Sequence, residues 1–247
     1  MAAGRVGNHT KRRVFASVAS VAKKLGVAWV FSLVFLRFVA PPVTPLILIR
    51  ALEYWLHDKP GIRGWEWKPL TYFPTHVQQS VIAAEDARFM NHWGVDLAAI
   101  GDALDDADES GKPRGASTIT MQTVKNIYLW PGRSYVRKFI EVVMAPIAGA
   151  IWGKKRTLEL YVNVIELGEG IYGLEAASKF YFGKPASALT MGDAAALAAI
   201  LPAPRRLSPN ALSPASERRY DRIVREAKSI SVPARKSGRR SGTRRRE

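Results

Sequence analysis

A mainly α-helical fold behind an N-terminal transmembrane helix is what this sequence predicts, on three observations. Segment after segment carries apolar residues at helical spacing behind a capping residue. No run of strand-like alternation interrupts them, and no internal repeat is seen. Near the N-terminus, an apolar stretch follows a strongly basic tail.

The N-terminal element comes first. Residues 1–24 hold six Lys/Arg and no acid, and Val27 to Leu36 carries no charge. That stretch is shorter than the roughly 20 residues that span a bilayer. Arg37 can snorkel from its end, and Leu46 to Ile49 adds apolar surface. Residues 25–40 therefore read as an uncleaved anchor, with the basic tail 1–24 in the cytoplasm. A cleaved signal peptide is disfavoured by Phe38 at the −3 position of a cut after Ala40.

Charge and composition bound the rest. The net charge is +16, but residues 1–24 and 229–247 carry +6 each, which leaves +4 on residues 25–228. A nucleic-acid binder carries its charge on the folded surface, so the charge in two tails fits membrane proximity better than that class. With no cysteine there is neither a disulfide framework nor a thiolate metal site, and the four histidines lack metal-ligand spacing.

Along the chain, Thr44-Pro45 reads as an N-cap with proline at the first helical position, opening a helix to about His57 that suits a core or a membrane interface. Residues 58–74 form an irregular connector. A helix then opens at Thr75 with Gln78 at capping-box spacing and is ended by Gly94; Asp96 caps the next. Residues 105–116 read as a polar, mobile loop, either a lid or inert surface. Ser117 caps a helix through Asn126, and Ser134 opens another that Pro146 kinks or ends. Further helices cover Lys154 to Val164, Leu174 to Phe182 and Thr190 to Leu201, with a loop at 168–173. A basic helix at 214–228 and a disordered tail make residues 213–247 an appendage to a body at 41–212.

Two stretches carry candidate chemistry. Val77, Val81, Glu85 and Phe89 fall four apart, so Glu85 interrupts an apolar stripe. A carboxylate there is partnered or partly desolvated, which is how a proton-transfer group is tuned. A helix-end acid paired with Arg88 is the plain alternative. Next, Thr118, Gln122 and Lys125 lie along one polar face near helix N-terminal amides, a face for an oxygen-rich anion such as a diphosphate, or else merely solvated. Arg137, Lys138 and Glu141 fit an ordinary i, i+3/i+4 ion-pair network.

Together these segments resemble the peptidoglycan glycosyltransferases, and among them the monofunctional biosynthetic transglycosylases. The resemblance covers roughly residues 40–210. It rests on Glu85-Asp86-x-x-Phe89-x-x-His92-x-Gly94, then Gly115-x-Ser117-Thr118-Ile119-Thr120-x-Gln122-x-x-Lys125-Asn126, then Arg137-Lys138-x-x-Glu141. Lys154-x-x-x-Leu158-Glu159-x-Tyr161-x-Asn163, Gly173-x-x-Ala176-Ala177 and Tyr181-Phe182-Gly183-Lys184 complete the series. The order and spacing make the set specific. Met121 stands where the family usually has the first of two glutamines.

The resemblance implies a lysozyme-like, mainly α fold with a membrane-embedded subdomain, on the periplasmic side of the bacterial inner membrane. It implies lipid II and the growing glycan as substrates, inner-membrane lipids as surroundings and other cell-wall synthesis proteins as partners. Glu85 takes the role of general base and Glu141 that of the second glutamate. Asp86, Phe89, His92, Ser117, Thr118, Gln122, Lys125, Asn126, Arg137, Lys138, Lys154 and Asn163 become candidate substrate-binding residues. A divalent cation such as Mg²⁺ is an optional helper without assigned ligands, and no organic cofactor is expected. Ser20 to Lys23 and Lys236 to Gly238 mimic transpeptidase motifs but leave no room for such a domain between or after them. The rivals are a lysozyme-like hydrolase or lytic transglycosylase, which has no diphosphate for Lys125, Arg137 and Lys138 to neutralise, and a non-catalytic membrane scaffold, which has no use for Glu85.

Overall fold

The computed structural model describes residues 3–110, 117–132 and 134–233. It comprises two compact units, Met1–Pro41 and Pro42–Glu247. The first is one helix, α1 (Ala3–Phe38). Its segment Phe15–Phe38, 24 residues with a mean hydropathy of 1.6, is long and apolar enough to cross a membrane. The expected anchor at 25–40 is thus part of a longer helix, and the boundary drawn at residue 24 falls inside it.

In the second unit, α2 (Pro45–Leu56) starts as expected: the Thr44 side chain accepts from the Ile47 N–H and proline sits at the first turn. The connector contains β1 (Gly64–Trp65) and a 3₁₀ turn at Leu70–Tyr72. Helix α3 (Thr75–Glu85) follows Pro74, and Thr75 makes no cap. It ends at Glu85 rather than running to Gly94, and Phe89–Asn91 is a separate 3₁₀ turn, so Phe89 does not continue the stripe. Gly94 adopts φ +126°, and a Cβ there would lie 2.4 Å from the Ala145 carbonyl. Only glycine allows this loop to lie so close to the next long helix.

Helix α4 (Leu97–Ser110) takes in much of the expected loop at 105–116; residues 111–116 lie outside the described residues. Asp96 caps it by accepting from the Ala99 N–H. Helix α5 (Ile119–Tyr128) is capped by Thr118, which accepts from Met121, and not by Ser117. Helix α6 (Tyr135–Val164) is capped by Ser134 and runs through Pro146. Its break lies instead at Gly153, where φ 66° and ψ 169° are open to glycine but strained for other residues.

The expected loop at 168–173 holds two short strands, β2 (Glu166–Gly168) and β3 (Ile171–Tyr172). They form a small sheet of order β1-β3-β2, with β1 parallel and β2 antiparallel to β3. Helices α7 (Gly173–Phe182), α8 (Met191–Ala199, with a Thr190–Asp193 capping box) and α9 (Pro214–Glu226) complete the described fold.

The core joins Val77, Val81 and Ile82 of α3 to Ile119 of α5, Leu158 and Tyr161 of α6, Leu174 of α7 and Leu197 of α8. A second cluster is built from small residues: Ala83 and Ala84 meet Ala195, Ala198 and Ala199, with Ile223 from α9. Alanines let the helices approach closely, and α9 is thereby part of the packed body and not an appendage. Arg219 of α9 donates to the Ala84 carbonyl at 2.9 Å, satisfying an orphan acceptor at the end of α3. Among the described residues of the second unit, apolar faces are exposed on α6 at Val136, Phe139, Val143 and Ile147, and on α2 at Leu48, Leu52 and Trp55.

Candidate active site

Glu85 is the last residue of α3, where the helix presents its side chain between α5 and α9. Oε2 accepts from Gln122 Nε2 at 2.6 Å, and Oε1 accepts from Arg219 Nη2 at 2.5 Å. The far end of the Gln122 amide accepts from the Tyr161 hydroxyl at 3.1 Å, which fixes its orientation. Burial pushes the Glu85 carboxyl above its ordinary range, against the pull of Arg219, Gln122 and Lys125. The alternative pairing with Arg88 does not occur: Arg88 binds Asp96 and Asp102 instead.

Two cavities flank the Glu85–Gln122 hydrogen bond. The first, about 570 Å³, is lined by Glu85, Asp86, Arg88, Ser117, Thr118, Arg219 and Arg222. The second, about 210 Å³, is lined by Gln122, Lys125, Asn126, Arg137, Tyr161, Glu166 and Arg50. Lys125 makes no hydrogen bond or ion pair to the described residues. Burial, aided by Arg137, lowers its ammonium pKa. An unpaired, half-buried ammonium on a cavity wall is a seat for an anion.

A triad of two cations and one carboxylate joins the walls. Arg137 and Lys138, successive residues of α6, both ion-pair with Glu141, which is 3% exposed. Arg137 also donates to the Gly132 carbonyl at 2.8 Å. Lys138 reaches across to the Ser117 hydroxyl, and burial beside Arg137 and Lys125 lowers its pKa to about 8.

The other sequence candidates form the frame behind these walls. Asp86 Oδ2 accepts the Ile119 N–H at 3.0 Å, and His92 Nε2 donates to Oδ1 at 2.9 Å. His92 Nδ1 accepts from the Gly94 N–H at 3.2 Å, which assigns the proton to Nε2. Thr118, besides lining the first cavity, donates to the Gly94 carbonyl. Phe89 is a fully buried core residue. Lys154 donates to the carbonyls of Phe89 and His92, and Asn163 clamps both the N–H and the carbonyl of Lys68 at 2.8 Å. Phe89, His92, Lys154 and Asn163 line neither cavity.

Among the described residues, one trio holds its potential ligand atoms within 4.8 Å of one another: Asp86, His92 and Asp96. It does not fit a resident cation. The Asp86 oxygens serve Ile119 and His92, and the Asp96 oxygens serve Arg88 and Ala99. Both His92 nitrogens are likewise engaged.

Sequence reasoning missed Arg219, Arg222, Arg50 and Glu166. The first two sit on the basic helix set apart as an appendage, and their 219/222 spacing was the available signal.

Residues 62–228 match the family model described as Transglycosylase. The chain belongs to the transglycosylase family. Its relatives include the biosynthetic peptidoglycan transglycosylase of Marinomonas sp. (strain MWYL1), 42% identical over 220 residues, which covers 89% of this chain and 94% of that one. The protein of the same name from Shewanella frigidimarina (strain NCIMB 400) is 48% identical over 178 residues, 72% of this chain and 75% of its own. That from Caulobacter vibrioides is 40% identical over 220 residues, 88% and 86% of the two chains. Family membership makes the protein a glycosyltransferase of the peptidoglycan transglycosylase group with a lysozyme-like, mainly α domain.

Proposed function

We propose that the protein polymerises lipid II into β-1,4-linked glycan strands with inversion at the donor's anomeric carbon. One observation carries the reading: a largely buried carboxylate of raised pKa, Glu85, stands at a hydrogen-bonded partition between two polar cavities, of which one holds a lysine without a partner among the described residues. The second cavity takes the donor, the glycan still linked to its lipid diphosphate, with Lys125 and Arg137 against the phosphates. The first takes the acceptor lipid II, beside Arg219 and Arg222. The acceptor's sugar hydroxyl displaces a present partner of Glu85 and gives it the proton as the new C–O bond forms. The C–O bond to the diphosphate breaks, and the lipid diphosphate leaves as an anion. The diphosphate is a good leaving group, so cations serve where a strong acid would otherwise be needed.

Glu141 sets the position of Arg137 and Lys138 in this reading. Its oxygens are both ion-paired, so it is not an open ligand for Mg²⁺. A divalent cation such as Mg²⁺ would serve as an additional counter-charge to the diphosphate, and displacement of a diphosphate calls for no organic cofactor. Helix α1 anchors the chain in the cytoplasmic membrane with the body on the outer side, and the apolar faces of α2 and α6 rest on lipid. There the enzyme meets a lipid-tethered donor in two dimensions. Other cell-wall synthesis proteins are the partner class this placement favours.

The test is full-length, detergent-solubilised protein on labelled lipid II, with and without Mg²⁺. A high-mass product that muramidase digests is expected. Fragments released from preformed peptidoglycan, with no polymer from lipid II, would instead assign the site to cleavage.

A further inference from the structure

We propose that Arg50 is a third ligand for the donor's diphosphate, carried to the cavity by a helix that lies on the membrane surface. The inference rests on the donor reading of the second cavity. Arg50 stands on α2, outside residues 62–228 that match the family model, yet it lines the same cavity as Lys125 and Arg137. Three cations from three helices thus face one space, and Glu166 is the single carboxylate among its lining residues. Burial depresses the Lys125 ammonium most, Arg137 adds to it, and Arg50 contributes the least, as a more distant neighbour across the shared cavity does.

The bonding of Arg50 is incomplete. Its Nη1 donates to Glu53 at 2.6 Å, one turn along α2. Its Nε lies 3.6 Å from Glu166 Oε1, and neither of these buried atoms has a hydrogen-bond partner. The Nη2 group makes no hydrogen bond to the described residues. A guanidinium has five donors in a planar fork suited to phosphate oxygens, and here most are unspent in a side chain only 15% exposed. Glu166 has its own marks of poise. Burial raises its pKa against Arg50 and Arg205, and it holds Arg50 by charge alone.

Helix α2 explains why a cation is delivered from this side. Leu48, Leu52 and Trp55 are 56%, 55% and 77% exposed and follow one another at i, i+4 and i+7. Arg50, two residues from both leucines, falls on the opposite side of the helix. With the apolar face against lipid, Arg50 sits at headgroup depth, where a lipid-linked diphosphate lies.

The experiment measures binding of farnesyl diphosphate and farnesyl monophosphate to the full-length, detergent-solubilised protein, alongside thermal unfolding and lipid II polymerisation. Arg50→Gln should weaken the diphosphate about tenfold, the loss of one charge-assisted contact, while the monophosphate changes little. Arg50→Lys should restore part of the difference, and the KM for lipid II should rise more than kcat falls. Glu166→Gln removes the competing carboxylate and should tighten the diphosphate severalfold. A lower unfolding temperature for Arg50→Gln with an unchanged diphosphate-to-monophosphate ratio would make Arg50 a structural tie between α2 and β2 and overturn the proposal. So would unchanged or weaker binding in Glu166→Gln. Wild-type protein that polymerises lipid II without binding farnesyl diphosphate would overturn this inference alone; wild-type protein that does neither would take the donor reading with it.

Discussion

Asp86 accepts its hydrogen bonds from the backbone N–H of Ile119 and from a histidine locked by Gly94, whereas Glu85, its neighbour, is held among the described residues by the side chains of Gln122 and Arg219. Both carboxylates line the same cavity. The difference lies in what can let go. A backbone donor at the start of α5 cannot move without unwinding that helix, so Asp86 ties the loop after α3 to the first turn of α5. Gln122 and Arg219 can change rotamer, so Glu85 can exchange a partner for a substrate hydroxyl. On the proposed mechanism, adjacent residues of the same chemistry thus divide into frame and reagent.

The sharpest way to break this comparison is to exchange the two effects. Glu85→Gln keeps the size of the side chain and its capacity to accept from Arg219, but it cannot take a proton. Polymerisation should fall by about 10²–10⁴-fold, while thermal unfolding and detergent extraction from membranes match wild type. Retention of most of the activity would remove Glu85 from the base role. Asp86→Ala should do the reverse in kind. It leaves the Ile119 N–H and the His92 donor unsatisfied, and chemical denaturation should read a stability loss of about 1–3 kcal/mol for each. A variant as stable as wild type would deny Asp86 its framing role.

A smaller effect sharpens the account of the cations. Burial sets the Lys138 ammonium at about pH 8, so the positive charge beside Ser117 is lost as pH rises through that value. The rate should decline severalfold on the alkaline side of about pH 8. Lys138→Arg, whose guanidinium stays charged, should carry that decline to higher pH. A limb that stays in place would exclude Lys138 from the charge balance of the reaction.

The sequence was most informative where a feature is local. Thr44, Asp96 and Ser134 cap helices as their spacing predicts, and Gln122 and Lys125 sit on a cavity wall within one helix. It was misleading where a local preference met a tertiary contact. Pro146 stays inside α6, close to the Trp93-Gly94 loop, and the helix breaks at Gly153, where φ turns positive. Thr118 rather than Ser117 takes the cap, because Gly94 offers its hydroxyl an acceptor. Lys154 and Asn163 share the motifs of the site yet spend their side chains on backbone groups, a fate that only the folded path of residues 68 and 89–92 decides. Arg219 was invisible for a different reason. It acts on a carboxylate 134 positions away, across an alanine-lined interface that carries no motif.

The most direct test of the central claim is the pH profile of kcat/KM on labelled lipid II for wild type and Gln122→Leu. The Gln122 amide donates to the Glu85 carboxylate and so holds its pKa below what burial alone would impose. Without that donor the carboxyl keeps its proton to higher pH, and a base must be deprotonated to act. The account predicts that the acidic limb of the profile moves to higher pH in Gln122→Leu. An acidic limb that does not move, in a variant that still folds and polymerises, would contradict Glu85 as the group that takes the proton.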